Sequence, residues 1–341
     1  MPENNLNDKR VMIVSGSGLG DLIVLTPALR RLKEKFPACK LIFLCRDYHR
    51  DIPDNLSYID KVVCMYRGRF LGRYRALPLI FGLDAVVFTD YQPAILFMAT
   101  LFRVPIRAGH KRDESKMTKL LTKNLQASVF ESPDYVAETQ AKVISEALDI
   151  NLDGDMTNLD VPKSNDDDIR AVDIMLEDIG LRKDSPYILL SPFTGLEQRN
   201  LPANTAEEFI HSAEERYKMP VVISAPPHKH SEALKLSRYA LTKKTSIKEL
   251  IELVRRAKLL VTPDSGPMHV AGAVKTKCVA LFSKDLPSRW APKHNCIPLY
   301  LNLPCSPCSH DTARACPHVK CMLDFKAEMI LDACDKFLLG E

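Results

Sequence analysis

The chain has 341 residues, too many for one ordinary core, so two domains are the expectation. Its 46% hydrophobic and 26% charged content is that of a globular protein. A formal charge of +4, set by 47 basic against 43 acidic side chains, argues against nucleic acid as the partner.

The first ten residues, MPENNLNDKR, contain no apolar run, which predicts that no secretory signal is present. The longest apolar stretches, such as residues 94–102, fall short of the ~20 residues that cross a bilayer. Ten cysteines in such a chain are expected as reduced thiols, and the protein is placed in the cytoplasm.

Val11–Ser15 reads as a buried strand, followed by Gly16-Ser17-Gly18-Leu19-Gly20 and a helix over Asp21–Lys35, with Leu22, Leu25, Leu29 and Leu32 on one face. Leu41–Cys45, Lys61–Met65 and Ala85–Thr89 are further strands with helical stretches between them. The alternation predicts a parallel sheet with right-handed crossovers. Between strands, the run RGRFLGRYR carries Arg67, Arg69, Arg73 and Arg75, either a solvated surface or a cradle for an acidic ligand.

A long helix is predicted over Ser132–Ile150. The Asp- and Asn-rich residues 151–168 then read as an interdomain linker. A second alternating set follows: helix 167–179, strand Tyr187–Leu190, helix Ala203–Tyr217, strand Val221–Ser224, helix Ile247–Arg256, strand Leu259–Thr262, helix Pro267–Val274, strand Cys278–Phe282, and a last helix from about Asp324 to Leu339. The fold class is therefore α/β, with two doubly wound halves whose ligands bind at the carboxyl ends of the strands.

The second half turns on VTPDSGPMHVAGA, residues 261–273. A strand there runs into a helix whose free N–H groups and positive dipole end suit a diphosphate. Gly266 permits close backbone approach, Ser265 offers a hydroxyl, and His269 lies about one turn into the helix. The same residues also suit a plainly capped helix, with Asp264 or Ser265 as N-cap. In the tail, Cys305, Cys308, Cys316 and Cys321 could be a four-thiolate metal site, but the second pair lacks the C-x2-C spacing, and a metal-free cluster is expected.

A dinucleotide fingerprint after the first strand would need G-x-G-x-x-G, and Asp21 stands where its last glycine belongs. A carboxylate there would repel a pyrophosphate, yet the helix dipole favours it as an ionised base. This disfavours a nicotinamide oxidoreductase, the alternative reading, and makes the first half the acceptor side.

Gly18-Leu19-Gly20-Asp21 with Thr26-Pro27, Arg199 before Leu201-Pro202, Thr245-Ser246, Asp264-Ser265-Gly266-Pro267-Met268-His269, Trp290-Ala-Pro and the cysteine tail together resemble glycosyltransferase family 9, the ADP-heptose:lipopolysaccharide heptosyltransferases. The family implies a GT-B fold, two Rossmann-like domains facing a central cleft: an acceptor domain over residues 1–155 and a donor domain over 165–321. A last helix, about 322–341, could pack back on the first. It implies inverting transfer of heptose from ADP-heptose to a lipopolysaccharide inner-core or related acidic glycan or glycolipid, with no metal or other cofactor and with room for peripheral contact at the inner membrane. Another nucleotide sugar or a protein acceptor stays open. Asp21 then resembles the general base. Thr194, Arg199, Ser246, Asp264, Ser265, Gly266 and His269 resemble donor-binding residues, and Gly18 and Gly20, with Arg67, Arg69, Arg73 and Arg75, fall on the acceptor side. Ala225-Pro226-Pro227 replaces the family's usual Gly-Gly-Pro.

Overall fold

The computed structural model describes residues 3–16, 18–65, 77–111, 116–128 and 132–340; Arg67, Arg69, Arg73 and Arg75 lie outside the described residues. The chain divides into two compact units, Met1–Pro162 and Lys163–Glu341.

In the first unit, strands β1 (Arg10–Val14), β2 (Lys40–Arg46), β3 (Lys61–Met65), β4 (Ala85–Phe88), β5 (Ile106–Gly109) and β6 (Lys123–Asn124) form a parallel sheet in the order β3-β2-β1-β4-β5-β6. Helices α1 (Leu19–Lys35), α2 (Leu77–Ile80), α3 (Pro93–Leu101) and α4 (Val136–Leu148) complete it. Met12, Val14, Ile42, Leu44, Val86 and Phe88 pack with Ile95 and Ala99 of α3. The alternate residues Val11 and Ile13 are equally buried, so the central strands read as unbroken apolar runs rather than alternating ones.

Pro27 sits inside α1 and has no N–H to give to the Ile23 carbonyl. The Thr26 hydroxyl donates to that carbonyl instead, at 2.6 Å, and accepts the Asp160 N–H at 2.9 Å. The Asp-rich stretch expected as a linker is therefore tied down over its first part. Arg30 pairs with Asp160, and Arg31 Nε donates to the Asp153 carbonyl at 2.6 Å. The next helix begins at Asp166, where Asn165 and Asp168 form a reciprocal cap.

The second unit holds β7 (Ile188–Leu190), β8 (Val221–Ile223), β9 (Leu259–Pro263), β10 (Cys278–Phe282) and β11 (Cys296–Tyr300), parallel throughout and ordered β11-β10-β9-β7-β8. Its helices are α5 (Asp166–Glu177), α6 (Ala203–Tyr217), α7 (His230–Leu236), α8 (Ile247–Arg256), α9 (Gly266–Val274), α10 (Pro287–Trp290), α11 (His310–Ala315), α12 (Lys320–Leu323) and α13 (Ala327–Leu338).

The last helix, α13, packs in the core of this second unit. Ala327, Ile330, Leu331 and Cys334 make an i, i+3, i+4, i+7 stripe buried with Phe209 of α6 and with Ile188, Val261 and Leu281 of the sheet. Arg216 holds Asp335 at 3.0 Å and Glu328 at 2.7 Å, and Tyr217 Oη donates to Asp335 at 2.7 Å. The helix covers apolar sheet surface beside α6 that would otherwise face water.

Candidate functional site

In the order β11-β10-β9-β7-β8 the direction of winding reverses between β7 and β9, and a crevice at the carboxyl ends of those two strands is where such a sheet takes a ligand. The loop after β7 folds on itself there. Thr194 N–H donates to Asn200 Oδ1 at 2.7 Å, the Thr194 hydroxyl donates to the Leu196 carbonyl at 2.6 Å, and Leu201 N–H reaches the Pro192 carbonyl at 2.9 Å. A single 3-10 turn, Glu197–Arg199, ends the loop and presents Arg199.

Arg199 Nη1 lies 3.2 Å from Asp264 Oδ2, at the end of β9, and 3.5 Å from Asp285 Oδ2, just after β10. Lys284 Nζ lies 2.6 Å from Asp285 Oδ2. The Asp264 side chain is only 7% exposed. Burial pushes its carboxyl up to about 7, the Asp285 carboxylate adds to the rise, and Arg199 and Lys284 pull the other way.

His269, on the first turns of α9, is 2% exposed, and burial with Arg199 close by brings its imidazole down to about 4, so the ring is neutral at pH 7. It meets the Trp290 ring edge-on, with centroids 6.2 Å apart. Among the described residues, Arg199 Nε, His269 Nδ1 and Trp290 Nε1 are buried without a hydrogen-bond partner. Orphaned buried polar atoms are costly, and several on one patch of wall mark a place where a polar ligand completes the bonding. Ser265 is the N-cap residue of α9 by backbone geometry, but its hydroxyl bonds Thr262 Oγ1 at 3.0 Å instead of capping, and Gly266 opens the helix. The helix start therefore keeps amide groups available for an anion.

The other residues singled out in the sequence have more local roles. Thr194 is buried and spends its hydroxyl inside its own loop. Ser246 is the N-cap of α8, its hydroxyl accepting from Glu249 N–H at 3.2 Å. A cavity of about 600 Å³ adjoins the Arg199 loop, lined by Gln198, Asn200, Leu236, Cys316 and Met322 but not by Arg199, Asp264 or His269. Of the four tail cysteines, Cys305 is exposed, and Cys316 accepts from Val319 N–H at 3.4 Å. Among the described residues no three His, Cys, Asp or Glu side chains are grouped to hold a metal ion.

In the first unit the winding reverses between β1 and β4. Gly18 is the N-cap residue of α1, Gly20 lies in its first turn, and Asp21 Oδ2 accepts the Gly18 N–H at 2.9 Å. Asp21 thus stands in the first turn of a 17-residue helix, at its positive end. A Cβ at Gly16 would lie 2.5 Å from Gln92 Nε2 and 2.8 Å from Asp90 Oδ2, so the ends of those two side chains, in the segment after β4, lie against the Gly16 backbone.

Sequence reasoning missed Lys284 and Asp285. Their signal is position alone, since they lie two and three residues past the end of buried strand β10 and so stand near a carboxyl end. It also passed over Asp90 and Gln92 for want of any motif.

The model of "Glycosyltransferase family 9 (heptosyltransferase)" matches residues 92–318, more than half of the chain. The chain belongs to glycosyltransferase family 9. This family member is 36% identical over 102 residues to lipooligosaccharide heptosyltransferase 2 of Campylobacter jejuni, an alignment that covers 29% of the chain and 31% of that relative. The chain thus matches about a third of the length of that curated relative. Its fold is GT-B. The crystal structure of a family 9 glycosyl transferase from Veillonella parvula superposes with a TM-score of 0.83 at 17% identity, covering 100% of both chains. The ADP-heptose lps heptosyltransferase II of E. coli superposes at 0.74 with 16% identity, covering 97% of this chain and 99% of that one.

Proposed function

We propose that this family 9 member is an inverting glycosyltransferase that moves a heptose from ADP-heptose to a lipopolysaccharide inner-core or related acidic acceptor. The observation that carries the reading is the Arg199–Asp264–His269 group at the switch point of the second sheet, with unpartnered donors around it. Arg199 and the start of α9 hold the diphosphate. As the bond between the anomeric carbon and the diphosphate oxygen breaks, charge grows on that oxygen, and cations and amides fixed beforehand stabilise it most. In this reading Arg199, with Lys284 nearby, neutralises the leaving group, and no divalent ion or other cofactor is required.

Asp21 is the base. The acceptor hydroxyl attacks the anomeric carbon from the face opposite the departing diphosphate and gives its proton to Asp21, so configuration inverts. Asp21 stands in the first turn of α1, anchored by the Gly18 N–H, in a position to take that proton. Gly18 and Gly20 let the acceptor approach the same turn. Arg67, Arg69, Arg73 and Arg75 are proposed to meet the acceptor's carboxylates and phosphates. ADP-heptose as the donor is supported by the neighbour described as an ADP-heptose lps heptosyltransferase, and the acceptor class by the curated relative's name. Among the described residues no helix is long and apolar enough to cross a membrane. An acceptor of this kind would bring the protein to the cytoplasmic face of the inner membrane as a peripheral visitor.

The test is a thermal-shift and calorimetric screen of ADP, UDP, GDP, their sugars and NAD. Selective stabilisation by ADP and ADP-sugars is expected, since a ligand at 100 times its Kd adds about 2.7 kcal/mol. Preference for UDP or GDP would move the donor to another nucleotide sugar, and binding of NAD alone would overturn the reading.

A further inference from the structure

Helix α3, PAILFMATL, carries no charged residue on any face. Ile95, Leu96, Met98 and Ala99 turn inward and are buried in the core of the first unit. A helix that is apolar all round is normally covered on every side. This one is not, for Phe97 and Leu101, one turn apart, are 56% and 65% exposed. Phe81, directly after α2, is 69% exposed and meets the ring of Phe102 edge-on, with centroids 6.2 Å apart. Phe102 follows Leu101 at the end of α3, so an outward apolar strip runs from Phe97 through Leu101 to Phe81. Single exposed apolar side chains are ordinary, whereas a contiguous set marks a contact surface.

Positive charge is gathered on the same stretch of chain. Residues 61–112 hold nine Lys and Arg against two acids, Asp84 and Asp90, a surplus of +7 in a protein whose total is +4. The remainder of the chain is therefore slightly acidic. Asp84 is already held by Lys9 Nζ at 3.1 Å and by the Arg10 N–H at 2.8 Å. Arg103, two residues past Leu101, is exposed. So are Lys116 and Lys119, on a 3-10 turn, Lys116–Leu120, that packs against α3.

An occupant must suit both features. A nucleic acid would meet the charge and leave the phenylalanine and leucine side chains in water. A second copy would cover the strip but set like charges face to face. The interface of an anionic bilayer takes aromatic and aliphatic side chains at the acyl boundary and draws Lys and Arg to its headgroups. Resting on the glycolipid-acceptor reading above, we propose that this strip seats the first unit on an anionic phospholipid bilayer. Phe81, Phe97 and Leu101 enter the acyl boundary, and Arg103, Lys116 and Lys119 meet the headgroups.

The experiment is flotation of the full chain with vesicles of phosphatidylcholine alone or mixed with phosphatidylglycerol. Wild type should float with the mixed vesicles, bind the neutral ones about tenfold more weakly, and be released as salt is raised. The double variant Phe97→Gln, Leu101→Gln should lose about ten- to a hundredfold in binding with an unchanged Tm, since both side chains lie outside the core. Lys116→Gln and Lys119→Gln should each cost about fivefold on mixed vesicles and nothing on neutral ones. Phe97→Trp should gain emission that brominated phosphatidylcholine in the mixed vesicles quenches, measured against wild type, whose one tryptophan is Trp290. With an acceptor freed of its acyl chains the double variant should transfer at the wild-type rate. With the lipid acceptor in vesicles its KM should rise.

Wild type that floats with neither vesicle, or a double variant that binds as well as wild type, overturns the proposal and leaves the acceptor reading standing. A dimer that the double variant makes monomeric, without vesicle binding, overturns it in favour of a second copy. Strip-dependent flotation by a protein that transfers to no acceptor supports the surface and removes the acceptor reading instead.

Discussion

Ile330→Ala tests where the last helix belongs. Ile330 is fully buried on the inward stripe of α13, with Phe209 and the β7 and β9 side chains in the same core. Truncating it removes apolar contact and leaves a void that a sheet clamped between two helical layers closes poorly. The expected cost is about 2–5 kcal/mol. At a urea slope of about 2–3 kcal/mol per molar, that lowers the midpoint by roughly 1–2 M. The chain has a single tryptophan, Trp290, and α10 places it in the second unit, so its fluorescence reports that unit. Ile330→Ala should therefore move the fluorescence midpoint by that amount. Ile13→Ala, an equally buried change in β1 of the first unit, should leave it nearly unmoved. The reverse pattern would refute the placement of α13.

Asp21→Asn should lower turnover by about 10²–10⁴-fold while ADP affinity stays close to wild type, measured by steady-state rates beside calorimetry, and an unchanged rate would remove Asp21 as the base. The pH dependence of stability has two opposed parts. The raised Asp264 carboxyl makes the native state hold a proton that the unfolded chain loses above about 3.8, so its contribution declines as pH rises to about 7; the lowered His269 contributes above its ordinary 6.5 and fades as pH falls toward 4. Relative to wild type, Asp264→Asn should thus gain Tm steadily from pH 4 to 8, and a constant offset would contradict the account. Protein prepared without added zinc or iron should carry far less than one metal per chain by mass spectrometry, and near-stoichiometric metal lost on replacing Cys305 and Cys308 would make the tail a structural site.

Buried parallel strands announce themselves, and β3, β10, α6 and α8 fall where periodicity and apolar runs place them. The short edge strands β6 and β11 do not, because Lys123-Asn124 has no apolar run and β11 carries Pro298 on a half-exposed face. The stretch 151–162 looked like a linker because it is polar. Its order comes from pairing with Arg30, Arg31 and Thr26 more than a hundred positions earlier, a contact no local pattern encodes. The turn after β9 was legible because its acid, hydroxyl, glycine and histidine are contiguous. Asp285 was not, since its meeting with Arg199 is made by neighbouring strand ends and exists only once the sheet is formed.

The central claim is that the second unit activates a heptose on ADP for attack by an acceptor hydroxyl. Incubation with ADP-heptose and a Kdo-containing lipid A acceptor, followed by nuclear magnetic resonance of the product, tests it directly. The account predicts one added heptose whose anomeric configuration is opposite to the donor's, with product formation sharply reduced in Arg199→Ala. A product of retained configuration, or transfer undiminished without Arg199, would contradict it.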